Sequence, residues 1–203
     1  MAFAKRLGIA MVTIVSVLAT IGVGQASATR LCKVEGTLKT CPGASIYPAG
    51  TPLKLVQSVS EATFTFGFTN KCESSTLKGV TTGAGGKGTG EEASVPALFK
   101  EAVWGNCTCG TFAIEPPFEV DFFGAGNRNG SMDYVVEIEF NCAGTICKYR
   151  GQLLSAVTGG GLATVDIKTT LKKIEGGVLC ASTAAWKSAY EFVQPMPMYI
   201  TEN

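Results

Sequence analysis

The feature that most limits this chain is its set of eight cysteines, all after an N-terminal export signal, together with the absence of histidine. An even number of cysteines in an exported chain predicts disulfides, because oxidising compartments form and preserve them. Without histidine, the usual Ser-His-Asp and Cys-His nucleophilic sites and histidine-ligated metal centres are excluded. We expect four disulfides, no cofactor and no metal site. The cysteines are Cys32, Cys41, Cys72, Cys107, Cys109, Cys142, Cys147 and Cys180.

Residues 1–28 have the three parts of a signal peptide. Lys5 and Arg6 form a basic start, residues 7–23 form a mostly apolar run, and Ala26-Ser27-Ala28 is the small-residue pattern of a cleavage site. An uncleaved anchor is the alternative, because about 17 residues can just span a bilayer. The cleavage pattern favours removal after Ala28. We therefore expect a secreted protein in which residues 29–203 form a single disulfide-stabilised β-rich domain.

The charge balance of the mature chain gives no indication of a polyanionic partner. Removing Lys5 and Arg6 leaves 15 basic and 16 acidic residues, a net charge of −1. No dense run of Lys and Arg remains, so neither nucleic acid nor an anionic membrane is indicated as a partner. No second apolar run approaches 18 residues, so we expect no stable membrane insertion once the signal is removed.

Apolar and polar residues alternate along several segments, and this period of two is typical of strands with one buried face. Glycine-rich and Asn/Pro-rich clusters between these segments favour turns. The pattern predicts an all-β fold, an antiparallel sandwich or barrel reinforced by disulfides, with little helix after the signal peptide. Val95 to Val103 is the best helix candidate, although a strand fits equally well. The predicted buried faces are Phe64, Phe66 and Phe68; Phe118, Val120 and Phe122; Tyr134, Val136, Ile138 and Phe140; Val165, Ile167 and Leu171; and Trp186, Tyr190 and Phe192.

Spacing narrows the cysteine pairing without deciding it. Cys32 with Cys41 and Cys142 with Cys147 would each close a small loop. Cys107 and Cys109 are not expected to pair with each other, because alternate residues of a strand lie about 6.6 Å apart and a disulfide needs Cβ atoms about 3.5–4.5 Å apart. Their partners would then be Cys72 and Cys180, in an order that stays open.

Carboxylates are the chemistry that remains for an enzyme without histidine. Glu119 and Asp121 share one strand face, and a hairpin through residues 124–130 would bring Glu137 and Glu139 opposite them. Two carboxyls about 5–9 Å apart suit a glycosidase, with Asp121 and Glu137 as the candidate pair. The alternative is the solvent face of an ordinary amphipathic hairpin.

Two further motifs have simpler explanations. Asn127, Asn129 and Asp133 offer oxygen ligands for calcium, but the spacing is not that of an EF-hand and an Asn/Gly-rich turn accounts for it. Residues 83–88 satisfy the dinucleotide-binding pattern Gly-x-Gly-x-x-Gly, which requires a preceding strand, a following helix and a distant acidic residue in a βαβ unit. Here Thr89-Gly90-Glu91-Glu92 follows in a β-type chain, and Lys87-Gly88 lacks the Ser or Thr of a phosphate loop. We interpret residues 83–90 as a surface loop.

Three segments resemble a group of small, uncharacterised secreted proteins of actinobacteria. They are residues 41–51, the Cys72-Glu73-Ser74-Ser75 segment, and residues 180–199 with Cys-Ala-Ser-Thr-Ala-Ala-Trp and Pro-Met-Pro-Met-Tyr. The resemblance implies an exported β-rich scaffold of unknown function and transfers no catalytic residue.

Three functions fit these observations. The first is a non-enzymatic domain that binds a ligand outside the cell or at the envelope. The second is a secreted carboxylate-dependent hydrolase such as a glycosidase. The third is a disulfide-locked protease inhibitor that presents a rigid loop such as residues 83–90.

Overall fold

The computed structural model describes residues 28–35, 41–85, 94–109, 112–114, 117–125 and 128–202. Apart from Ala28, the predicted signal peptide lies outside these residues. The described chain forms twelve strands and one short 3-10 turn, Gly43–Ser45, so the all-β prediction is confirmed. The strands are β1 (Thr29–Cys32), β2 (Pro52–Gln57), β3 (Ala62–Thr65), β4 (Thr69–Thr81), β5 (Val95–Cys107), β6 (Phe112–Ile114), β7 (Phe118–Gly124), β8 (Gly130–Cys142), β9 (Thr145–Thr158), β10 (Ala163–Gly176), β11 (Thr183–Gln194) and β12 (Tyr199–Glu202).

Eight of these strands close into an antiparallel barrel. The order around the wall is β2, β4, β5, β7, β8, β9, β10 and β11, and β11 pairs with β2 to complete the circle. β3 comes after β2 in the chain and, like β2, pairs with β4 on one side and with β11 on the other. β6 pairs with residues 138–140 of β8, whereas β7 pairs with residues 130–134 of the same strand. The helix candidate Val95 to Val103 lies within β5, so the strand interpretation is the correct one.

Alternating side chains point into the barrel as the sequence pattern predicts. Tyr134, Val136, Ile138 and Phe140 are all buried on β8, while Val135 between them is exposed. An eight-stranded barrel has an interior just wide enough for side chains to fill. Aromatic rings supply much of that filling here. Phe66 stacks on Phe140 at 4.3 Å and Phe64 on Trp186 at 5.3 Å, measured between ring centroids.

The predicted buried face of Phe64, Phe66 and Phe68 is wrong at its last residue. Phe68 was expected inside with Phe64 and Phe66, but the chain turns after Thr65 and Phe68 is 45% exposed. Phe66 donates its backbone N–H to the Phe68 carbonyl at 2.8 Å across this turn. Gly67 has a φ of +94°, a conformation that glycine adopts without a steric cost. The glycine therefore marks a turn between two strands, β3 and β4.

The barrel has two distinct ends. At the ribbon end, β1 and β12 pair as a two-stranded antiparallel ribbon that lies across the β7–β8 and β9–β10 turns. Gly124 donates its backbone N–H to Thr29 Oγ1 at 3.0 Å, and Ile200 donates to the Arg128 carbonyl at 3.0 Å. Leu31 and Ile200 are buried beneath this ribbon.

At the opposite, disulfide end lie three of the four disulfides. Cys72–Cys107 joins β4 to β5, Cys109–Cys142 joins the segment after β5 to the end of β8, and Cys147–Cys180 joins β9 to the β10–β11 loop. The fourth, Cys32–Cys41, follows β1. The prediction of four disulfides is confirmed, with no cysteine left free among the described residues.

The pairing predictions have mixed outcomes. Cys32–Cys41 is as expected, and Cys107 and Cys109 do not pair with each other. Cys72 pairs with Cys107, one of the two partners that the spacing left open. The predicted small loop between Cys142 and Cys147 is wrong, and so is the prediction that Cys180 pairs with Cys107 or Cys109.

The β8–β9 register explains the error. Cys142 lies opposite Thr145, whereas Cys147 lies opposite Phe140. The two cysteines are therefore diagonal, and diagonal neighbours across a ladder lie about 7–8 Å apart, beyond the longest Cα separation of about 7 Å that a disulfide can bridge. In contrast, Cys72 lies directly opposite Cys107, with 4.0 Å between their Cα atoms.

Candidate functional site

A groove of about 520 Å³ lies on the outer wall of the barrel across β7, β8 and β9. Its floor includes Phe118, Tyr134 and Val135. Its charged side chains are Glu119, Asp121, Asp133, Glu137 and Arg150. Both residues of the candidate catalytic pair, Asp121 and Glu137, thus lie in one groove.

Strand alternation brings these side chains to the outer wall. Glu119 and Asp121 alternate on β7 with the buried Phe118, Val120 and Phe122. The same period of two places Asp133 and Glu137 on the outer face of β8, between buried residues. A polar outer face over an apolar inner face is the ordinary arrangement of an antiparallel wall.

The register of the hairpin differs from the one predicted. Gly124 pairs with Gly130, so Asp121 lies opposite Asp133, and neither Glu137 nor Glu139 lies opposite the β7 carboxylates. Glu137 lies instead opposite Arg150 on β9. The predicted turn at residues 124–130 already implies this register, because residues an equal number of positions before and after it lie opposite each other, which pairs 121 with 133. The predicted position of Glu137 and Glu139 is therefore wrong for the predicted turn itself.

Most of these carboxylates have a polar or basic neighbour. Ser94 donates its hydroxyl to Asp121 Oδ1 at 2.6 Å, and Gln152 Nε2 donates to both oxygens of Asp133 at 3.1 and 3.0 Å. Just beyond the groove, Lys148 Nζ lies 3.5 Å from Glu139 and 3.1 Å from Glu175. These hydrogen bonds raise the pKa of Lys148, with Glu175 as the larger cause. Such contacts fit the solvent-face interpretation of the hairpin.

The calcium interpretation finds no support in this hairpin. Asn127 lies outside the described residues. Asn129 Oδ1 accepts the backbone N–H of Gly159 at 3.0 Å, so this side chain holds the neighbouring β9–β10 turn. In the part of the chain that the structure describes, no three acidic or cysteine side chains are grouped as a metal site requires.

The glycine-rich loop joins two antiparallel neighbours, β4 and β5. A dinucleotide site of the Gly-x-Gly-x-x-Gly type needs a parallel βαβ unit instead. Arg30 Nη1 donates to the carbonyls of Ala84 and Gly85 at 3.1 and 2.7 Å, which holds the start of the loop against β1. Residues 86–90, the centre of the predicted inhibitor loop, lie outside the described residues.

Sequence reasoning missed a second surface, at the disulfide end. Its loops expose apolar side chains, and lysines and arginines that are distant in sequence meet on the nearby outer wall. The Gly176-Gly177-Val178-Leu179-Cys180 segment held a signal for this surface, because it places two apolar residues in a turn rather than in a strand. The exposed apolar side chains at this end are Phe68, Ile146, Ile174, Val178 and Leu179.

Within the described residues, no helix is long and apolar enough to cross a bilayer. No protein-family model matches the chain, and neither a curated protein nor a solved structure matches it. The resemblance to secreted actinobacterial proteins therefore stays a prediction.

Proposed function

We propose that this protein is an exported, non-enzymatic binding domain that acts outside the cell or at the envelope. The four disulfides support export, because such cross-links are typical of oxidising compartments. They also occupy every cysteine, so no free thiol is available as a nucleophile or metal ligand.

The observation that carries the proposal is the placement of the groove carboxylates on an open outer wall. A carboxylic acid that donates a proton near neutral pH needs a buried, apolar surrounding that disfavours its charged form. Asp121 and Glu137 are instead partly exposed, Asp121 accepts a hydrogen bond from Ser94, and Glu137 lies opposite Arg150. These are polar and basic contacts on an open surface, and they favour binding over hydrolysis.

The test compares retention with turnover. The purified exported protein is incubated with isolated cell envelopes, and separately with a panel of glycoside, peptidoglycan and peptide substrates. We expect saturable retention on the envelopes and no turnover. Hydrolysis of any substrate, with loss of that activity in Asp121→Asn, would contradict the proposal.

A carboxylate-dependent hydrolase is the second candidate, because Asp121 and Glu137 line the same groove. It requires both carboxyls, one as acid and one as base or nucleophile. Under this alternative, Asp121→Asn and Glu137→Gln would each abolish turnover while leaving the circular-dichroism spectrum unchanged. Asp166→Asn, an exposed carboxylate on β10, is the matched control and would retain full activity.

A further inference from the structure

Three loops at the disulfide end contain no charged residue: 65–70, 141–147 and 176–183. Each carries at least one exposed apolar side chain, and Val178 is fully exposed. We call these side chains the apolar tip. Exposed apolar groups gathered at one place mark a contact with a protein or a membrane. The apolar tip consists of Phe68, Ile146, Val178 and Leu179.

The loops that carry the apolar tip touch one another. Ala181 donates its backbone N–H to the Phe66 carbonyl at 3.3 Å, which joins the β10–β11 loop to the β3–β4 turn. A Cβ at Gly176 would lie 3.0 Å from the Ile146 carbonyl, so the β8–β9 turn is also in contact. The Cys147–Cys180 disulfide also links the β10–β11 loop to the start of β9, beside the β8–β9 turn. The apolar tip is therefore one surface on a braced support.

The β10–β11 part of this surface is an exposed turn. Cys180 donates its backbone N–H to the Gly177 carbonyl at 3.1 Å, which closes a turn with Val178 and Leu179 at its corner. A projecting apolar turn can enter a fluid lipid layer, which closes around it. A protease would instead require an extended segment, and a rigid protein partner would require a matching cavity.

Basic side chains collect on the outer wall beside the apolar tip. Lys172 lies directly opposite Arg150, which also lies opposite Glu137 on β8, and farther from the tip Lys168 lies directly opposite Lys187. Like charges in directly opposed positions destabilise a sheet. Residues 167–188, the half of the β10–β11 hairpin that bears the tip, hold four lysines and a single acidic residue, which is paired with Lys148. Glu137 offsets part of this repulsion at Arg150, and an anionic surface beside this wall would offset the remainder.

The distances suit a lipid interface. Lys172 is five residues from Gly177, or about 16 Å along the strand and about 12 Å along the barrel axis for strands tilted by about 35–45°. Interfacial apolar groups enter the headgroup and acyl boundary by about 5–10 Å. With the tip inserted, the long Lys172 and Arg150 side chains reach the phosphate layer.

We propose that the disulfide end docks reversibly on an anionic lipid surface, with the apolar tip inserted and Lys172 and Arg150 on the lipid phosphates. This rests on the proposed role as an exported binding domain and identifies a lipid surface as its partner. The docking is peripheral and involves no covalent step.

The test is co-sedimentation of the purified exported protein with vesicles of phosphatidylcholine alone or mixed with phosphatidylglycerol. We expect retention on the anionic vesicles that weakens as salt is raised. The double variant Val178→Asp/Leu179→Asp is expected to lower the partition coefficient at least tenfold. Lys172→Gln and Arg150→Gln are each expected to lower it about fivefold, on anionic vesicles only. Leu154→Asp, at a 73% exposed site on the β9 wall, is the matched control and retains wild-type binding.

Three outcomes would overturn the lipid proposal. The first is a wild-type protein that ignores anionic vesicles but is retained on cell envelopes, which leaves the binding role intact. The second is loss of retention on protein-bearing cells in the Val178→Asp/Leu179→Asp variant without any vesicle binding, which identifies a protein partner. The third is unchanged vesicle binding in that variant. Absence of binding to both vesicles and envelopes would overturn the binding role as well.

Discussion

The ribbon end and the disulfide end of this barrel are closed by different interactions. At the ribbon end, the pairing of β1 with β12 buries apolar side chains such as Leu31 and Ile200 and supplies backbone hydrogen bonds to the adjoining turns. At the disulfide end, three covalent links hold loops whose apolar side chains stay exposed. Cross-links thus allow an end to keep its shape without burying its apolar surface, which leaves that surface available for binding.

Removing one disulfide from each end should produce the largest difference in stability between two matched variants. Cys72→Ser/Cys107→Ser opens a link with a sequence separation of 35, whereas Cys32→Ser/Cys41→Ser opens one of 9. In the chain-entropy treatment these links contribute about 4 and about 2.5 kcal/mol respectively to the free energy of unfolding. Urea denaturation of the two variants measures both losses. Equal losses, or a greater loss at the ribbon end, would contradict covalent closure of the disulfide end.

A second contrast uses one glycine from each end. At Gly130, beneath the ribbon, an added Cβ would collide with the Phe123 carbonyl and press on Ile200. At Gly144, in the β8–β9 turn of the disulfide end, there is open space but φ is +85°. We expect Gly130→Ala to cost about 2–3 kcal/mol and Gly144→Ala about 1–2 kcal/mol. Thermal unfolding of the two variants should reproduce this order, and the reverse order would show that the ribbon adapts freely.

Between the ends, two buried tyrosines should make the protein sensitive to alkali. Burial raises the pKa of both Tyr134 and Tyr190 well above the usual value near 10. Their contribution to the free energy of unfolding is fully present below the unfolded-state pKa of about 10. It is lost as pH rises above that value, by about 1.4 kcal/mol per pH unit for each tyrosine. Urea denaturation between pH 9 and 11.5 measures the slope. Tyr190→Phe should reduce this slope by about 1.4 kcal/mol per pH unit. An unchanged slope would show that Tyr190 ionises in the folded state.

The smallest expected effect concerns one hydrogen bond at the ribbon end. Thr29→Val keeps the shape of the side chain but removes the acceptor for the Gly124 backbone N–H. We expect a loss of about 1 kcal/mol in the free energy of unfolding, with faster hydrogen exchange at Gly124. Thr108→Val, which removes an acceptor for the exposed Lys71 backbone N–H at the disulfide end, is the matched control and should cost less. A larger loss for Thr108→Val would mean that hydrogen bonds also close the disulfide end.

Local periodicity accounts for much of what the sequence predicts correctly. The alternation through Tyr134, Val136, Ile138 and Phe140 required buried positions two residues apart, and the structure buries all four. The same rule failed at Phe68, because Gly67 permits a turn that reverses the chain before the third phenylalanine. A period of two describes a strand and does not reveal where the strand stops.

Partners across the barrel were not predictable in the same way. Cys109 pairs with Cys142, 33 residues later, because β6 and β8 are neighbours in the wall. Glu137 lies opposite Arg150 because β9 is the other neighbour of β8 in the wall. The apolar tip and the opposed pairs Lys172–Arg150 and Lys168–Lys187 also depend on which loops and strands meet. The local sequence signals the apolar turn at residues 176–180, but it does not signal which loops and strands meet.

The sequence by itself determined that an oxidised, histidine-free chain folds as a disulfide-reinforced β-structure, because cysteine parity, residue types and alternation are local properties. The tertiary structure alone decided which cysteines bond, which carboxylates share the groove and which end keeps its apolar side chains exposed. These depend on barrel closure and strand register, which place residues side by side that are tens of positions apart in the chain.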